Sequence, residues 1–266
     1  MMSLRFMIAL ALLAMVFSPA PAAQSDWLSP LFPSPGQAQE AAPGPDEAVG
    51  PAALFLPLMV RGSQQAAAPT HSGEGTYYAA TGAGNCSFDA SPQDLMVAAM
   101  NHADYANAAL CGAYVEAVGP QGTVTVRIVD RCPECAPGDI DFSKEAFEKI
   151  APLAAGRVPI EWRITSPALE GPIVYRFKEG SNQWWTAVQI RNHRNPIAAL
   201  EYRDASGEFK QIPRTSYNYF VAASGMGPGP YTLRVADLYG NALVDEGIPH
   251  VEGGEVAGSG QFPAGP

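Results

Sequence analysis

A Gly or Pro interrupts this 266-residue chain about every five positions, 26 of the first and 25 of the second. Gly loses the most backbone entropy inside regular structure, and Pro removes an amide donor and clashes with the preceding turn, so long helices do not survive such punctuation. What fits between the breaks is short extended segments. Val124, Val126 and Ile128 share one face of TVTVRIVD, and Ile160, Trp162 and Ile164 share one face of PIEWRI, the period-two alternation of half-buried strands. The expected class is all-β with short helices.

Two such helices are expected. Ser91-Pro92-Gln93-Asp94 reads as a capping sequence with Pro in the first helical position, leading into Leu95, Ala98 and Ala99 at helical spacing. The second runs from Ser143 to Ile150, with Ser143 as N-cap and Ala146, Phe147 and Ile150 on one face. After Ser166-Pro167 the texture changes to strand-like runs at Val174–Phe177, Thr186–Arg191, Ala198–Tyr202, Tyr219–Ala222, Tyr231–Ala236 and Ala242–Val244. Turn clusters such as Asp204-Ala205-Ser206-Gly207 separate them, which is the spacing of an antiparallel sandwich. A division near residue 165 leaves about 90 residues on each side, enough for two cores.

The N-terminal part reads differently. Residues 1–22 have the form of a cleaved secretory signal: Arg5 supplies the positive charge, Phe6 to Phe17 the apolar run, and Ala20-Pro21-Ala22 the small-residue cleavage pattern. A membrane span needs about 20 apolar residues, and Pro19 and Pro21 close this run early. No membrane contact is expected after cleavage, and the protein is expected to be secreted and extracellular. Residues 23–72 are rich in Pro and Ala without periodicity and read as a linker, interrupted by one apolar stretch, Ala52 to Val60 (AALFLPLMV).

Charge excludes several function classes. With 16 Lys+Arg against 26 Asp+Glu the formal charge is −10, and nucleic acid or anionic lipid needs a basic stripe that this balance argues against. Acidic polysaccharides are disfavoured for the same reason. There is no phosphate loop, nucleophile elbow or dinucleotide fingerprint, so no cofactor is expected. His71, His102, His193 and His250 are scattered and read as structural or solvated.

Two stretches carry candidate chemistry. In Val129-Asp130-Arg131-Cys132-Pro133-Glu134-Cys135-Ala136-Pro137-Gly138-Asp139-Ile140-Asp141-Phe142-Ser143 a strand ends in a carboxylate, a Cys-bounded loop follows, and Asp141 precedes a helix N-terminus. Asp130 and Asp141 can thereby converge on one groove, although an isolated Asp at such places more often caps a helix or closes a turn. The second stretch is Lys178-Glu179-Gly180-Ser181-Asn182-Gln183-Trp184-Trp185, with Tyr217-Asn218-Tyr219-Phe220 further on. Adjacent side chains of a regular strand face opposite ways, so at most one Trp of the pair is exposed unless the polar turn before it makes the backbone irregular. Exposed flat aromatics suit the C–H faces of sugar rings. Cys86, Cys111, Cys132 and Cys135 of an exported chain can form two disulfides; a four-cysteine zinc site or a redox Cys-Pro-Glu-Cys are the alternatives, and no metal is expected.

These residues, with Gly75-Thr76-Tyr77-Tyr78 and Gly84-Asn85-Cys86, make the part from Gly73 to Pro263 resemble bacterial expansins. The resemblance implies a six-stranded double-psi β-barrel over 73–164 and an immunoglobulin-like β-sandwich that binds cellulose over 165–263. It implies that Asp141 is the acid on which wall loosening depends, with Asp130 and Thr76 beside it in a polysaccharide groove. Trp184, Trp185 and Tyr217 match the family's aromatic strip, and Lys178 its basic companion. Tyr78, a further groove residue, stands where some bacterial expansins have Thr, and Cys132 where they have Tyr. Cys86 with Cys111 matches a bridge of cysteine-containing relatives; Cys132 with Cys135 would tighten the loop before Asp141. Gly260-Gln261-Phe262-Pro263 resembles the family's closing strand.

Inverting hydrolysis needs an acid and a base about 6.5–9.5 Å apart. Related hydrolases carry the base just after a Thr-x-Tyr segment, and here Thr76-Tyr77-Tyr78 is followed by Ala79-Ala80-Thr81, without a carboxylate. The expectation is a secreted, monomeric, non-hydrolytic protein acting on cellulose and associated cell-wall polysaccharides. The rivals are a glycan-cleaving enzyme on the same barrel, either endoglucanase or lytic transglycosylase, and a passive carbohydrate-binding adhesin.

Overall fold

The computed structural model describes residues 69–266. The segments read as signal and linker, up to residue 68, and the apolar stretch at 52–60 lie outside the described residues. Six strands, β1 (His71–Tyr78), β2 (Val97–Asn101), β3 (Tyr114–Gly119), β4 (Gly122–Cys132), β5 (Ile140–Ser143) and β6 (Val158–Thr165), close into a barrel in the order β1-β5-β2-β4-β3-β6. β1 and β5 run parallel, as do β2 and β4, and the remaining neighbours are antiparallel. This is the double-psi barrel. The alternation that marked its strands does the expected work: Val124, Val126, Ile128, Ile160 and Trp162 are buried, while Thr123, Thr125, Glu161 and Arg163 are exposed.

Three sequence readings need correction. The helix expected from Ser91 is absent: Ser91 to Asp94 form a turn, closed by the Ser91 hydroxyl on the Asp94 carbonyl at 2.8 Å, and the chain then enters β2. Helical spacing and a fully buried strand both place apolar residues at Ala98 and Ala99, and the unbroken apolar run Val97-Ala98-Ala99-Met100 favours the strand, which is buried throughout between β4 and β5. The capping residue that does work is Asn101, whose side chain accepts from the Asp104 amide to start a one-turn helix α1 (His102–Tyr105). The second expected helix forms as α2 (Lys144–Phe147), capped by Ser143 on the Ala146 amide, with Ala146, Phe147 and Ile150 buried as read. Gly260 to Pro263 is likewise not a strand; the last strand is Glu255–Ala257, although Phe262 is buried in the core. β1 also starts at His71, two residues inside the segment read as linker.

The remaining strands, β7 (Val174–Phe177), β8 (Thr186–Arg191), β9 (Ile197–Arg203), β10 (Phe209–Ile212), β11 (Phe220–Ala222), β12 (Tyr231–Asp237), β13 (Ala242–Ile248) and β14 (Glu255–Ala257), make two four-stranded antiparallel sheets, β10-β9-β12-β13 and β11-β8-β7-β14. Tyr175, Phe177, Val188 and Ile190 of one sheet and Leu200, Ile212, Leu233 and Val235 of the other share one core, giving a sandwich. β10 and β14, short and only partly buried, were not foreseen.

Barrel and sandwich are joined by polar contacts, several of them buried. The Gln189 side-chain amide donates to the Cys86 carbonyl at 2.8 Å, the Asn218 side chain donates to the same oxygen at 3.3 Å, and Arg191 pairs with Asp89 at 2.6 Å. Arg214 of the sandwich donates to the Ala108 carbonyl at 3.0 Å and lies over the Phe220 ring; burial pulls its guanidinium pKa down to about 10. These contacts converge on the segment stapled by the Cys86–Cys111 disulfide, and Cys132–Cys135 is the other bridge, so all four cysteines are paired. Among the described residues there is no cluster suited to a metal ion.

The two bridges differ in the loops they close, 25 against three residues in sequence separation. Chain-entropy arithmetic gives about 3.5 kcal/mol for the long loop and about 1.6 for the short one. Replacing Cys86 and Cys111 by Ala should therefore lower the midpoint of urea unfolding markedly more than replacing Cys132 and Cys135. Equal shifts for the two double variants would contradict this.

Candidate functional site

The barrel register sets out one row of side chains. Thr76 on β1 is paired with Asp141 on β5, Asp141 with Ala99 on β2, and Ala99 with Asp130 on β4. Directly paired residues point to the same face of a sheet, so Thr76, Asp141, Ala99 and Asp130 line one trough across four strands. The neighbours Ile140 and Phe142 are buried, which turns Asp141 outward. Ala99 contributes only a methyl between the two acids, so the trough floor there is low. Asp130 and Asp141 are two inter-strand steps apart, about 9.6 Å between backbones.

Each acid has a distinct environment. The Thr76 hydroxyl donates to Asp141 Oδ1 at 2.6 Å. Burial pushes the Asp141 carboxyl above the usual carboxylate range and the charges of Glu134 and Asp130 push the same way, against the Thr76 hydrogen bond and the more distant Arg157. Asp130 Oδ1 instead accepts the Asn85 and Arg131 amides at 2.7 and 2.8 Å. The loop at Gly84 lies directly on Asp130, and a Cβ there would fall 2.4 Å from the carboxyl carbon. Asp139 pins its own loop: its two oxygens accept the Glu74 amide at 2.8 Å and the Ala136 amide at 3.2 Å. Tyr78 flanks both acids, but its hydroxyl is buried without a partner, and burial followed by the Asp130 and Asp141 charges drives its pKa well up.

The aromatic residues sit on turns, not strands. Asn182 accepts the amides of Trp184 at 2.9 Å and Trp185 at 3.2 Å through one side-chain oxygen, and its carbonyl receives the Thr186 hydroxyl at 2.8 Å. Gly225, at φ +73°, packs beneath this turn, where a Cβ would strike the Gln183 carbonyl. The irregular backbone frees both indoles from strand alternation. Trp184 is 70% exposed and Trp185 half-buried. Tyr217, 37% exposed, projects from a turn in which the Thr215 hydroxyl donates to the Tyr219 carbonyl at 2.9 Å. Lys178 reaches over the buried Tyr219 ring at 5.8 Å, and that ring packs against Tyr217 at 6.0 Å.

Sequence reasoning missed the part that joins these two groups. The Asn85 side chain and the Tyr105 hydroxyl both donate to the Ser216 carbonyl at 2.8 Å, beside Tyr217. Asn85 also donates to Tyr105 at 2.8 Å and holds Asp130 through its backbone amide. One residue thus ties the trough acid to the aromatic turn. Asn85 stood within a segment noted for its resemblance, but nothing in its type or spacing announced a contact 131 residues away in sequence. Glu134 was likewise not singled out, since an exposed loop acid shows its effect on Asp141 only in three dimensions.

Known proteins agree with this architecture. Residues 71–162 match a family model described as lytic transglycolase. The chain is 37% identical over 207 residues to Expansin-YoaJ of Bacillus subtilis (strain 168), covering 73% of this chain and 87% of that one. The chain belongs to the expansin family. The crystal structure of the apo expansin of Clavibacter michiganensis superposes with a TM-score of 0.68 at 34% identity, covering 73% of this expansin and 99% of that chain. A mutant of the Clavibacter expansin, crystallised in complex with cellohexaose, superposes with a TM-score of 0.69 over the same shares.

The environment of Asp141 in this expansin makes its titration testable in both directions. Thr76→Val removes the hydrogen bond that favours the carboxylate and should move the Asp141 pKa further up; Glu134→Gln removes a repelling charge and should move it down. Carboxyl-carbon NMR titration reads both, and a fall on Thr76→Val or a rise on Glu134→Gln would contradict the account of the site.

Proposed function

We propose that this expansin is a secreted, monomeric protein that binds cellulose and associated cell-wall glucan and loosens it by breaking noncovalent contacts, without cleaving the chain. The observation that carries this reading is an exposed Trp184, continued by Tyr217, tied through Asn85 to a trough with Asp141 at its centre. Flat rings stack on the apolar faces of an uncharged polymer, and a carboxyl whose pKa lies above the usual range offers a proton to a glycosidic or hydroxyl oxygen near neutral pH more readily than an ordinary Asp. The cellohexaose bound by the Clavibacter mutant supports a β-glucan as ligand. Asp130 has one oxygen committed to two backbone amides, which holds it in place as one wall of the trough. Stacking needs neither a metal nor nucleic acid or membrane as partner.

Cleavage is the second reading, favoured by the description of the matched family model and by the Glu134 charge that bears on Asp141. A single sample separates the readings. Trp184→Ala should weaken adsorption to crystalline cellulose about tenfold, as loss of a stacked indole worth ~1.5 kcal/mol requires. The unaltered protein should release neither reducing nor anhydro-sugar while extending wall specimens under load, and Asp141→Asn should abolish the extension. Sugar release lost on Asp141→Asn would establish an enzyme. Adsorption without any extension would leave an adhesin.

A further inference from the structure

The segment Arg191-Asn192-His193, whose histidine reads from sequence as structural or solvated, borders a cavity that shares no residue with the trough or the aromatic turn. The cavity has a volume of about 260 Å³ and lies between barrel and sandwich, lined among others by Phe88, Tyr114, Arg127, Arg191 and His193. Ligand sites concentrate at such domain junctions. Two of its walls carry polar groups that the protein itself does not use.

His193 is only 2% exposed. Its Nδ1 lies 2.7 Å from the Asn195 carbonyl oxygen, and since a carbonyl only accepts, Nδ1 carries the proton and Nε2 presents a lone pair. Among the described residues Nε2 has no hydrogen-bond partner, and the ring lines the cavity. Burial holds the imidazole pKa down to about 4, with Arg214 and Arg127 acting in the same direction, so this acceptor persists at neutral pH. Arg127 lies over the Phe88 ring at 5.0 Å and, among the described residues, forms no ion pair. It differs in this from Arg191 on the facing wall, which is held by Asp89 at 2.6 Å and by the cavity's own carboxylate, Glu255, at 2.7 Å.

We infer that this junction cavity is a second ligand site, built for one sugar-acid unit whose carboxylate pairs with Arg127 and whose ring hydroxyl donates to Nε2 of His193. A simple anion satisfies Arg127 but has no hydroxyl for the imidazole; a neutral sugar satisfies the imidazole but leaves the guanidinium unpaired. A single uronate ring carries both groups and is of a size for the space. The acidic chain gives no long-range attraction to such a ligand, so binding rests on these short contacts and falls on the order of 1 mM.

Amide spectra of the full chain, titrated in turn with sodium glucuronate, glucose and sodium acetate, test this. Glucuronate should produce saturable shifts at Gly112, Asn192 and His193 and move the His193 Nε2 resonance, with glucose and acetate at least about tenfold weaker. Arg127→Gln, a half-exposed position without an ion pair, should weaken glucuronate about tenfold while cellulose adsorption stays unchanged. The Nε2 resonance reads the hydroxyl contact in the unaltered protein, so the test does not depend on any variant folding. Acetate or glucose matching glucuronate, an unmoved Nε2, or an unaffected Arg127→Gln would each overturn the assignment, and none of these would touch the reading of the trough.

Discussion

The site depends on a polar clamp between two domains that have separate cores. Asn85 gives its backbone amide to Asp130 and its side chain to the carbonyl beside Tyr217, with Tyr105 donating to the same carbonyl. Hydrogen bonds of this kind contribute about 1 kcal/mol each, less than the hydrophobic cores do, but they are directional where core packing between domains is not. Together with the Gln189, Asn218, Arg191 and Arg214 contacts they fix the aromatic turn relative to the acidic trough. The Cys86–Cys111 bridge adds to this by fixing the segment whose carbonyls receive Gln189 and Asn218.

Within the trough, two Asp residues in one row are driven apart chemically by what surrounds them. Asp130 is an acceptor for two amides and lies under a glycine loop. Asp141 receives one hydroxyl, is partly desolvated, and feels two other carboxylates. Desolvation and like charge both penalise the ionised form, so Asp141 holds a proton more readily than an exposed carboxyl does. The Cys132–Cys135 bridge closes the short loop that bears Glu134, one of the charges responsible. The loop is therefore part of the electrostatics of the trough as well as of its shape.

Much of the fold was legible because it rests on local rules. Period-two alternation located β4 and β6, and Ser143 capped the helix it was expected to cap. The failure at Ser91 to Ala99 has a definite cause: a run of small and apolar residues suits a helix face and a strand buried on both sides equally well, and only pairing with β4 and β5, remote in sequence, decides between them. The same limit applies at the site. Asp141, Asp130 and Thr76 were named from sequence, and barrel register brings them into one row; the roles of Asn85, Glu134 and Arg214 came from contacts between distant segments, which no local pattern encodes.

The Trp pair shows why exposure there is built into the fold. A large indole left in water forgoes the hydrophobic stabilisation of burial, so a regular strand would turn one of two adjacent Trp inward. Here Asn182 gathers both tryptophan amides on one oxygen and Gly225 lets a second loop press against the turn from below, which fixes the backbone in a shape strand alternation does not govern. The rings are consequently held by the main chain, not by their own packing. A platform of this type pays little conformational entropy when a flat ligand settles on it, because the backbone is already ordered and an indole has only two side-chain torsions to lose. Trp184 thus belongs to the surface of the sandwich and not to its core.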